Sequence, residues 1–181
     1  EFVLKVHQLC NLSCDYCYVY TKNDQSWREK PRVVSQPTVD LLARRIGEHV
    51  RRHGLSHVRV VLHGGEPLMA GAERLADIAA TVRAALPAGC RCTIGIQSNG
   101  VLLRPATLEV LRAGDIRIGV SVDGGAADHD RHRRFADGRG SFAQVDRALR
   151  RLRGQSVFAG LLCAIDLRTD PVRCYEDLLA Y

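Results

Sequence analysis

The chain has 181 residues, of which 46% are hydrophobic, which is enough for one domain with a continuous core. Its formal net charge is +6, but the arginines are spread along predicted helices, which favours a solvated basic surface over a nucleic-acid interface. No apolar run approaches the roughly 18 residues that a membrane span needs. Seven cysteines are an odd number, and three of them are crowded onto one loop, so we expect a protein of the reducing cytoplasm without membrane or nucleic-acid partners.

Strand and helix patterns alternate along the chain. The predicted strands are residues 2–7, 58–63, 93–97, 117–122 and 157–165. Three predicted helices are residues 36–53, 105–113 and 141–153. A further helix carries Leu75 to Leu86 and ends at Pro87. The last predicted helix begins at Pro171 and still continues at Tyr181.

The first helix has the clearest signals at both ends. Ser35 is the expected N-cap, Pro37 suits the first turn, and Gly54 is the expected stop. Five strand–helix units with continuously apolar strands predict an α/β fold with a parallel sheet covered by helices. Two architectures fit this pattern, a doubly wound open sheet and part of a β/α barrel.

Three cysteines, Cys10, Cys14 and Cys17, follow the first strand within eight residues. Iron–sulfur clusters are ordinarily held by four cysteines, so three thiolates on one loop suggest a cubane cluster with one iron open to a small molecule. The residues leave open a zinc ion completed by His7, or thiols packed as small hydrophobic side chains. The other four cysteines are scattered and are expected to be free thiols.

Each predicted strand ends in a polar or glycine-bearing turn, and parallel strands present these ends at one edge of a sheet. The turns therefore predict one shared site. Glu66 is expected to accept hydrogen bonds from an ammonium group or to support its own loop. Beyond the cysteine loop, the turns contain Gly64-Gly65-Glu66-Pro67, Ser98-Asn99-Gly100, Ser121 with Asp123, and Ala164 to Asp166.

Two of these motifs carry a family resemblance. Cys10, Cys14, Tyr16 and Cys17 match the C-x3-C-x-aromatic-C signature of the radical SAM superfamily, and Gly64-Gly65-Glu66-Pro67 matches its GGEP motif. The whole chain resembles this superfamily. The resemblance implies that residues 1–181 are a radical SAM core, a partial β/α barrel with five of about six units. It also implies that the sixth unit lies beyond Tyr181.

The resemblance also implies two cofactors, a [4Fe–4S] cluster and S-adenosylmethionine. The cluster is expected on the three loop cysteines. Reductive cleavage of S-adenosylmethionine would give a 5′-deoxyadenosyl radical that abstracts hydrogen from the substrate. The resemblance also implies the contacts of S-adenosylmethionine. Its methionyl end is expected to contact Gly64, Gly65, Glu66 and Pro67 through the amine and Arg133 through the carboxylate. Ser98 and Asn99 are expected to line the cleft, Ser121 and Asp123 to bind the carboxylate or the ribose hydroxyls, and Tyr16, Cys163 and Ile165 to lie near adenine.

A narrower resemblance concerns the substrate. The segments Ser121-Val-Asp123-Gly124 and Gly138-x-Gly140-Ser141-Phe142 are similar to the SPASM-type peptide maturases. The run from Cys14 to Tyr20, with Trp27, most resembles cyclophane-forming enzymes that crosslink side chains of ribosomal precursor peptides. This resemblance implies a precursor-peptide substrate, an electron donor such as flavodoxin or ferredoxin, and auxiliary [4Fe–4S] clusters in a C-terminal domain outside residues 1–181.

Two other functions are compatible with the sequence. The first, within the same chemistry, is the generation of formylglycine in the manner of anaerobic sulfatase maturases. The second is a non-catalytic zinc-binding module on the three loop cysteines and His7. The sequence identifies no catalytic base.

Overall fold

The computed structural model describes residues 1–181 and contains one sheet of five parallel strands. The strands are β1 (Phe2–His7), β2 (His57–Gly64), β3 (Arg91–Ser98), β4 (Ile116–Ser121) and β5 (Phe158–Leu162). They lie in the order β1-β2-β3-β4-β5, so each strand pairs with its neighbour in the sequence. A doubly wound sheet would reverse this order at a switch point. The unbroken order therefore confirms the partial β/α barrel.

Six helices connect and follow the strands. They are α1 (Gln36–His53), α2 (Ala72–Ala84), α3 (Pro105–Ala113), α4 (Ala126–His132), α5 (Phe142–Leu152) and α6 (Pro171–Leu178). The predicted bounds of α1 and α3 are confirmed, and α5 lies within its predicted segment. The helix α2 begins at Ala72 and ends at Ala84, three residues before the predicted end at Pro87. None of the helices combines the length and apolar character needed to span a membrane.

The cap of α1 forms as the sequence predicts. The Ser35 hydroxyl accepts a hydrogen bond from the Thr38 backbone N–H at 3.4 Å. Gly54 ends the helix in the left-handed region, with φ of 58°.

One face of the sheet packs against the helices and forms the core. On β2, Val58, Val60 and Leu62 are buried, whereas the residues between them are partly or fully exposed. The same alternation runs through β3 and β4, so the helices cover one face and the other face is concave. Aliphatic side chains from the helices, such as Ile46 and Ile78, complete one continuous core.

Three other elements differ from the sequence prediction. The helix α6 ends at Leu178, whereas the sequence predicted a helix that still continues at Tyr181. The helix α4 was not predicted, because its sequence is polar and lacks an apolar face of helical period. The strand β5 ends at Leu162 rather than at Ile165. Beyond Leu162 the chain leaves the sheet, since the Ala164 N–H donates to the Asp123 carboxylate at 3.0 Å instead of to a neighbouring strand.

The outer edge of β1 is covered by the segment that precedes α1. The Gln8 N–H donates to the Arg32 carbonyl at 2.8 Å, and the Val34 N–H donates to the Val6 carbonyl at 3.0 Å. The polar stretch between Tyr18 and Ser35 therefore folds back along the barrel edge and returns beside the cysteine loop.

Candidate functional site at the carboxyl edge of the sheet

The three cysteines of the loop after β1 are all free thiols and are all partly buried. Burial raises the pKa of Cys14 to about 11, opposed by the nearby Arg133 guanidinium. Burial also raises the pKa of Cys10. Burial therefore favours the protonated thiols of Cys10 and Cys14, which a bound metal would deprotonate.

These thiols open into a cavity of about 330 Å³ that also contacts the turns after β2, β3, β4 and β5. The predicted site residues in its lining are Cys10, Cys14, Tyr16, Cys17, Gly64, Gly65, Ser98, Asn99, Ser121, Arg133 and Cys163. Four predicted residues lie outside the lining, namely Glu66, Pro67, Asp123 and Ile165. In residues 1–181 no three His, Cys, Asp or Glu side chains are gathered at metal-ligand spacing. The residues fit an iron–sulfur cluster by their chemistry, because three soft sulfur donors line one cavity.

The turn after β2 approaches the cysteine loop through its backbone. The Gly65 N–H donates to the His7 carbonyl at 3.0 Å, and the Glu66 N–H donates to the Leu9 carbonyl at 3.0 Å. A Cβ on Gly65 would collide with the Leu9 carbonyl and the Tyr20 hydroxyl. This close approach explains the second glycine of the motif.

Glu66 lies behind this turn and is 1% exposed. Its carboxylate accepts hydrogen bonds from the backbone N–H of Leu68 at 3.0 Å and of Asn99 at 2.8 Å, and from the Ser98 hydroxyl at 2.9 Å. Burial raises the pKa of Glu66 to about 7, and these hydrogen bonds oppose the rise. Of the two roles expected from the sequence, these contacts fit the support of its loop.

Asn99 connects the turn after β3 to the cysteine loop. Its amide nitrogen donates to the Asn11 side-chain oxygen at 2.8 Å and lies 3.6 Å from the Cys10 sulfur. Its amide oxygen accepts the Val101 N–H at 3.1 Å. Asn99 therefore orients both its own turn and the first cysteine.

Asp123 is the centre of a second buried network. One carboxylate oxygen accepts the Ala164 N–H, and the other accepts Arg133 Nε at 2.7 Å and the Tyr16 hydroxyl. The Arg133 guanidinium lies 5.5 Å from the centre of the Tyr16 ring. Arg133 donates to Asp123 through Nε alone, and its two terminal nitrogens make no hydrogen bond to the protein. Asp123 therefore holds in place a cation that faces the cavity.

Histidines contribute to the frame of the site. His129 on α4 is fully buried, with Nδ1 accepting the Asp123 N–H at 3.3 Å and Nε2 lying 2.9 Å from the Ser141 hydroxyl. Burial, together with the Arg133 charge, lowers the pKa of His129 to about 4. His7 is buried, its Nδ1 accepts the Leu9 N–H at 3.1 Å, and it is absent from the cavity lining, which does not favour it as a fourth metal ligand.

Sequence reasoning missed part of the cavity. Gln97 lies on the concave face of β3, and its side-chain nitrogen donates to the Ser121 hydroxyl at 3.0 Å. This position could have been predicted, because alternate residues of a strand share one face and Gln97 therefore lies on the same face as Thr93 and Gly95. The other unpredicted lining residues are Leu12, Tyr18, Val19, Tyr20, His63 and Leu162. Ala164 also lines the cavity and belongs to a turn that the sequence predicted at this edge.

Comparison with known proteins gives the class. The sequence profile of the Radical SAM superfamily matches residues 4–165, so the chain belongs to this superfamily. Its members use a [4Fe–4S] cluster and S-adenosylmethionine.

Among curated proteins, the serine-type anaerobic sulfatase-maturating enzyme of Bacteroides thetaiotaomicron is 31% identical over 155 residues, covering 86% of this chain and 36% of the relative. The cysteine-type enzyme of Clostridium perfringens (strain 13) is 24% identical over 160 residues, covering 88% of this chain and 42% of the relative. The chain thus spans about two fifths of the length of these relatives.

Solved structures show the same fold. Native anSMEcpe with bound AdoMet superposes with a TM-score of 0.79 at 23% identity, covering 99% of this chain and 47% of that one. Its complex with AdoMet and the Cp18Cys peptide gives a TM-score of 0.80 at 22% identity, covering 99% of this chain and 46% of that one.

Proposed function

We propose that the cavity at the carboxyl edge binds a [4Fe–4S] cluster on Cys10, Cys14 and Cys17 and S-adenosylmethionine beside it. The supporting observation is that all three thiols and the turns of the four following strands line one cavity. When bound, the reduced cluster and S-adenosylmethionine supply a 5′-deoxyadenosyl radical that takes a hydrogen atom from the substrate.

The residues of this chain bind and orient the nucleotide. The backbone of Gly64 and Gly65 approaches the methionyl amine, and Glu66 and Pro67 support that turn from behind. The terminal nitrogens of Arg133 form a charge-assisted pair with the methionyl carboxylate, since a guanidinium matches a carboxylate in geometry.

The other contacts surround the nucleoside. Ser121 binds the ribose hydroxyls, with Gln97 holding its side chain. Tyr16 and Cys163 flank adenine, and Ser98 and Asn99 shape the cleft. Ile165 is 53% exposed and lies outside the cavity lining, which does not favour the adenine contact expected from the sequence. Asp123 acts through Arg133 and Tyr16 rather than by direct contact.

The proposed substrate of the whole protein is a peptide side chain. Oxidation of serine or cysteine to formylglycine is favoured by the similarity to sulfatase-maturating enzymes. Formation of a side-chain crosslink in a precursor peptide is favoured by the motif from Cys14 to Tyr20 with Trp27. The proposed electron donor is a flavodoxin or ferredoxin.

The cofactor proposal is tested by anaerobic reconstitution of the full-length protein that contains residues 1–181. We expect a brown protein with a broad absorption band at the violet end of the visible spectrum. After addition of dithionite and S-adenosylmethionine, the protein should form 5′-deoxyadenosine. Cys14→Ala should abolish this product, whereas Cys90→Ala, a free thiol before β3, should not. A colourless, zinc-loaded protein without affinity for S-adenosylmethionine would contradict the proposal.

The two products are separated by chemistry on the peptide. A serine converted to formylglycine and a new crosslink both cost two hydrogens, so mass alone does not distinguish them. Only formylglycine carries an aldehyde that a hydrazide captures. Hydrazide capture from a serine-containing sulfatase peptide supports maturation, and an uncaptured loss of two hydrogens from a precursor peptide supports crosslinking.

A further inference from the structure

A second cavity lies against the cysteine loop and shares Cys10, Leu12, Cys14 and Tyr20 with the cavity of about 330 Å³ described above, which we call the nucleotide cavity. It has a volume of about 410 Å³, and its lining includes Cys10, Cys14, Tyr20 and Trp27 but none of the turns after β2 to β5. The Tyr20 and Trp27 rings pack edge to face, with centroids 4.9 Å apart. This aromatic wall therefore gives access to the cysteine loop without passing through the nucleotide cavity.

The surface next to this cavity is basic. An adjoining depression of about 370 Å³ shares Leu9 and Trp27 with it and is lined by Arg28, Lys30 and Arg32. The Arg28 guanidinium lies 5.3 Å from the centre of the Trp27 ring. We name these three cations, with the aromatic wall, the basic aromatic face.

The cations of this face are not neutralised within the chain. None of Arg28, Lys30 and Arg32 forms an ion pair, in contrast to most arginines of α4, α5 and α6. The Asp24 carboxylate accepts the Ser26 N–H, and Glu29 is the other acid of this segment. Asp15 also lines the second cavity, and its carboxylate is paired with His132. An unpaired basic surface beside an apolar cavity fits an acidic protein partner.

Two polar groups in this region also lack partners. The indole N–H of Trp27 and the side-chain oxygen of Gln8 are buried and make no hydrogen bond. Buried polar groups are ordinarily paired, so their presence in the walls of these adjoining cavities supports an occupant that brings hydrogen-bonding groups.

We propose that the basic aromatic face docks the acidic one-electron carrier, a flavin or iron–sulfur protein, that reduces the cluster. This inference rests on the proposed function, because it requires a cluster on the loop cysteines. Electron transfer slows steeply with distance, so the carrier must approach the cysteines closely. The carrier and S-adenosylmethionine can bind together, because Trp27, Arg28, Lys30 and Arg32 do not line the nucleotide cavity. The transfer moves one electron: the carrier is oxidised by one electron, the cluster is reduced by one, and no bond breaks at this face.

An acidic peptide substrate is a weaker fit to this face. A peptide must reach the nucleotide to lose a hydrogen atom, and the nucleotide occupies the other cavity. Electron carriers also form small, transient interfaces that depend on charge steering, and a compact basic patch of this kind suffices for them.

The test measures binding and reduction separately. The double variant Lys30→Glu/Arg32→Glu is compared with Arg147→Glu, a charge reversal on the exposed side of α5. Titration calorimetry of a bacterial flavodoxin against the protein without its cluster gives the dissociation constant. We expect the double variant to bind about tenfold or more weakly, Arg147→Glu to bind normally, and the difference to shrink at high salt.

The second arm compares two reductants on the reconstituted protein. With reduced flavodoxin, the double variant should form 5′-deoxyadenosine about tenfold more slowly, whereas with dithionite its rate should match that of the parent protein. Equal flavodoxin binding by the double variant and Arg147→Glu would overturn the inference, as would equal loss of rate with both reductants. A face that captures an acidic peptide but not flavodoxin would also overturn it. If the parent makes no 5′-deoxyadenosine with dithionite, the proposed function fails, and the calorimetry still decides the docking.

Discussion

The molecule has two buried regions, the core between sheet and helices and the polar network at the carboxyl edge, and they are built differently. In the core, Ile46, Ile78 and Ile118 are fully buried among other aliphatic side chains. At the edge, the buried groups are the carboxylates of Glu66 and Asp123, and each is surrounded by donors. The first region is stabilised by apolar area, and the second by matched hydrogen bonds.

The contacts of the edge join different strand–helix units of the sheet. Glu66 meets Asn99 across 33 residues, and Asp123 meets Ala164 across 41 residues and Tyr16 across 107 residues. The edge therefore exists only when the whole sheet has formed. Substitutions in the core should change stability alone, whereas substitutions at the edge should change both stability and affinity for S-adenosylmethionine.

The largest expected effect on stability lies in the core. Ile78→Ala on α2 removes a fully buried side chain and should lower the free energy of unfolding by about 3–4 kcal/mol, because it leaves a cavity. Urea denaturation measures this loss, and Leu41→Ala on the exposed side of α1 should cost less than about 0.5 kcal/mol. The affinity of folded Ile78→Ala for S-adenosylmethionine should equal that of the parent, and a tenfold loss would break the comparison.

The edge should respond differently. Asp123→Asn keeps the side-chain volume but points an amide donor at another donor, either Arg133 Nε or the Ala164 N–H. We expect a loss of about 3 kcal/mol in stability, because the Arg133 charge stays buried without its partner. Calorimetry should also show an affinity for S-adenosylmethionine that is at least about tenfold weaker, since a misplaced guanidinium loses its carboxylate contact.

The matched control is Asp137→Asn, which breaks an exposed pair with Arg139. It should leave stability within about 0.5 kcal/mol of the parent and the affinity unchanged. An Asp123→Asn protein that is destabilised but binds S-adenosylmethionine normally would show that Asp123 supports the fold without positioning Arg133.

The sequence predicted the core side of the fold well. The bounds of α1 follow from Ser35 and Gly54, and the buried faces of α2 and α5 follow from apolar spacing, because these signals are local. The end of β5 could not be predicted, since Ala164 leaves the sheet to meet a carboxylate of the preceding unit.

At the edge, sequence identified motifs but not the division of labour within them. Gly64 and Gly65 reach the cavity, whereas Glu66 of the same motif turns inward to Asn99. Asp123 lies behind Arg133 rather than beside it in the cavity. These distinctions depend on which donors other strands bring to each carboxylate, and spacing along one segment does not carry that information.

His129, which is buried beside the carboxyl edge, should make stability depend on pH in a way that the aliphatic core does not. Burial lowers its pKa to about 4 in the folded protein, from about 6.5 when unfolded. The unfolded chain therefore binds the proton first, so this contribution is fully present above pH about 6.5 and is lost as the pH falls towards 4. The loss should reach about 2–3 kcal/mol.

Urea titrations at neutral and acidic pH measure this slope. His129→Gln should flatten it, whereas His53→Gln, an exposed residue at the end of α1, should leave it unchanged. A parent slope that persists in His129→Gln would assign the acid sensitivity to other groups.

The smallest expected effect concerns the N-terminal cap of α1, which is a local contact on the core side of the molecule. Ser35→Ala removes the hydroxyl that accepts the Thr38 N–H at the start of α1, and it should lower stability by about 0.5–1 kcal/mol. Ser35→Asp restores an acceptor and should recover the loss, because a carboxylate also caps and favours the positive end of the helix dipole. Affinity for S-adenosylmethionine should be the same in both variants. A change in that affinity would mean that α1 positions the segment from Arg28 to Arg32 beside the cysteine loop, and the core and the edge would then be coupled through this helix.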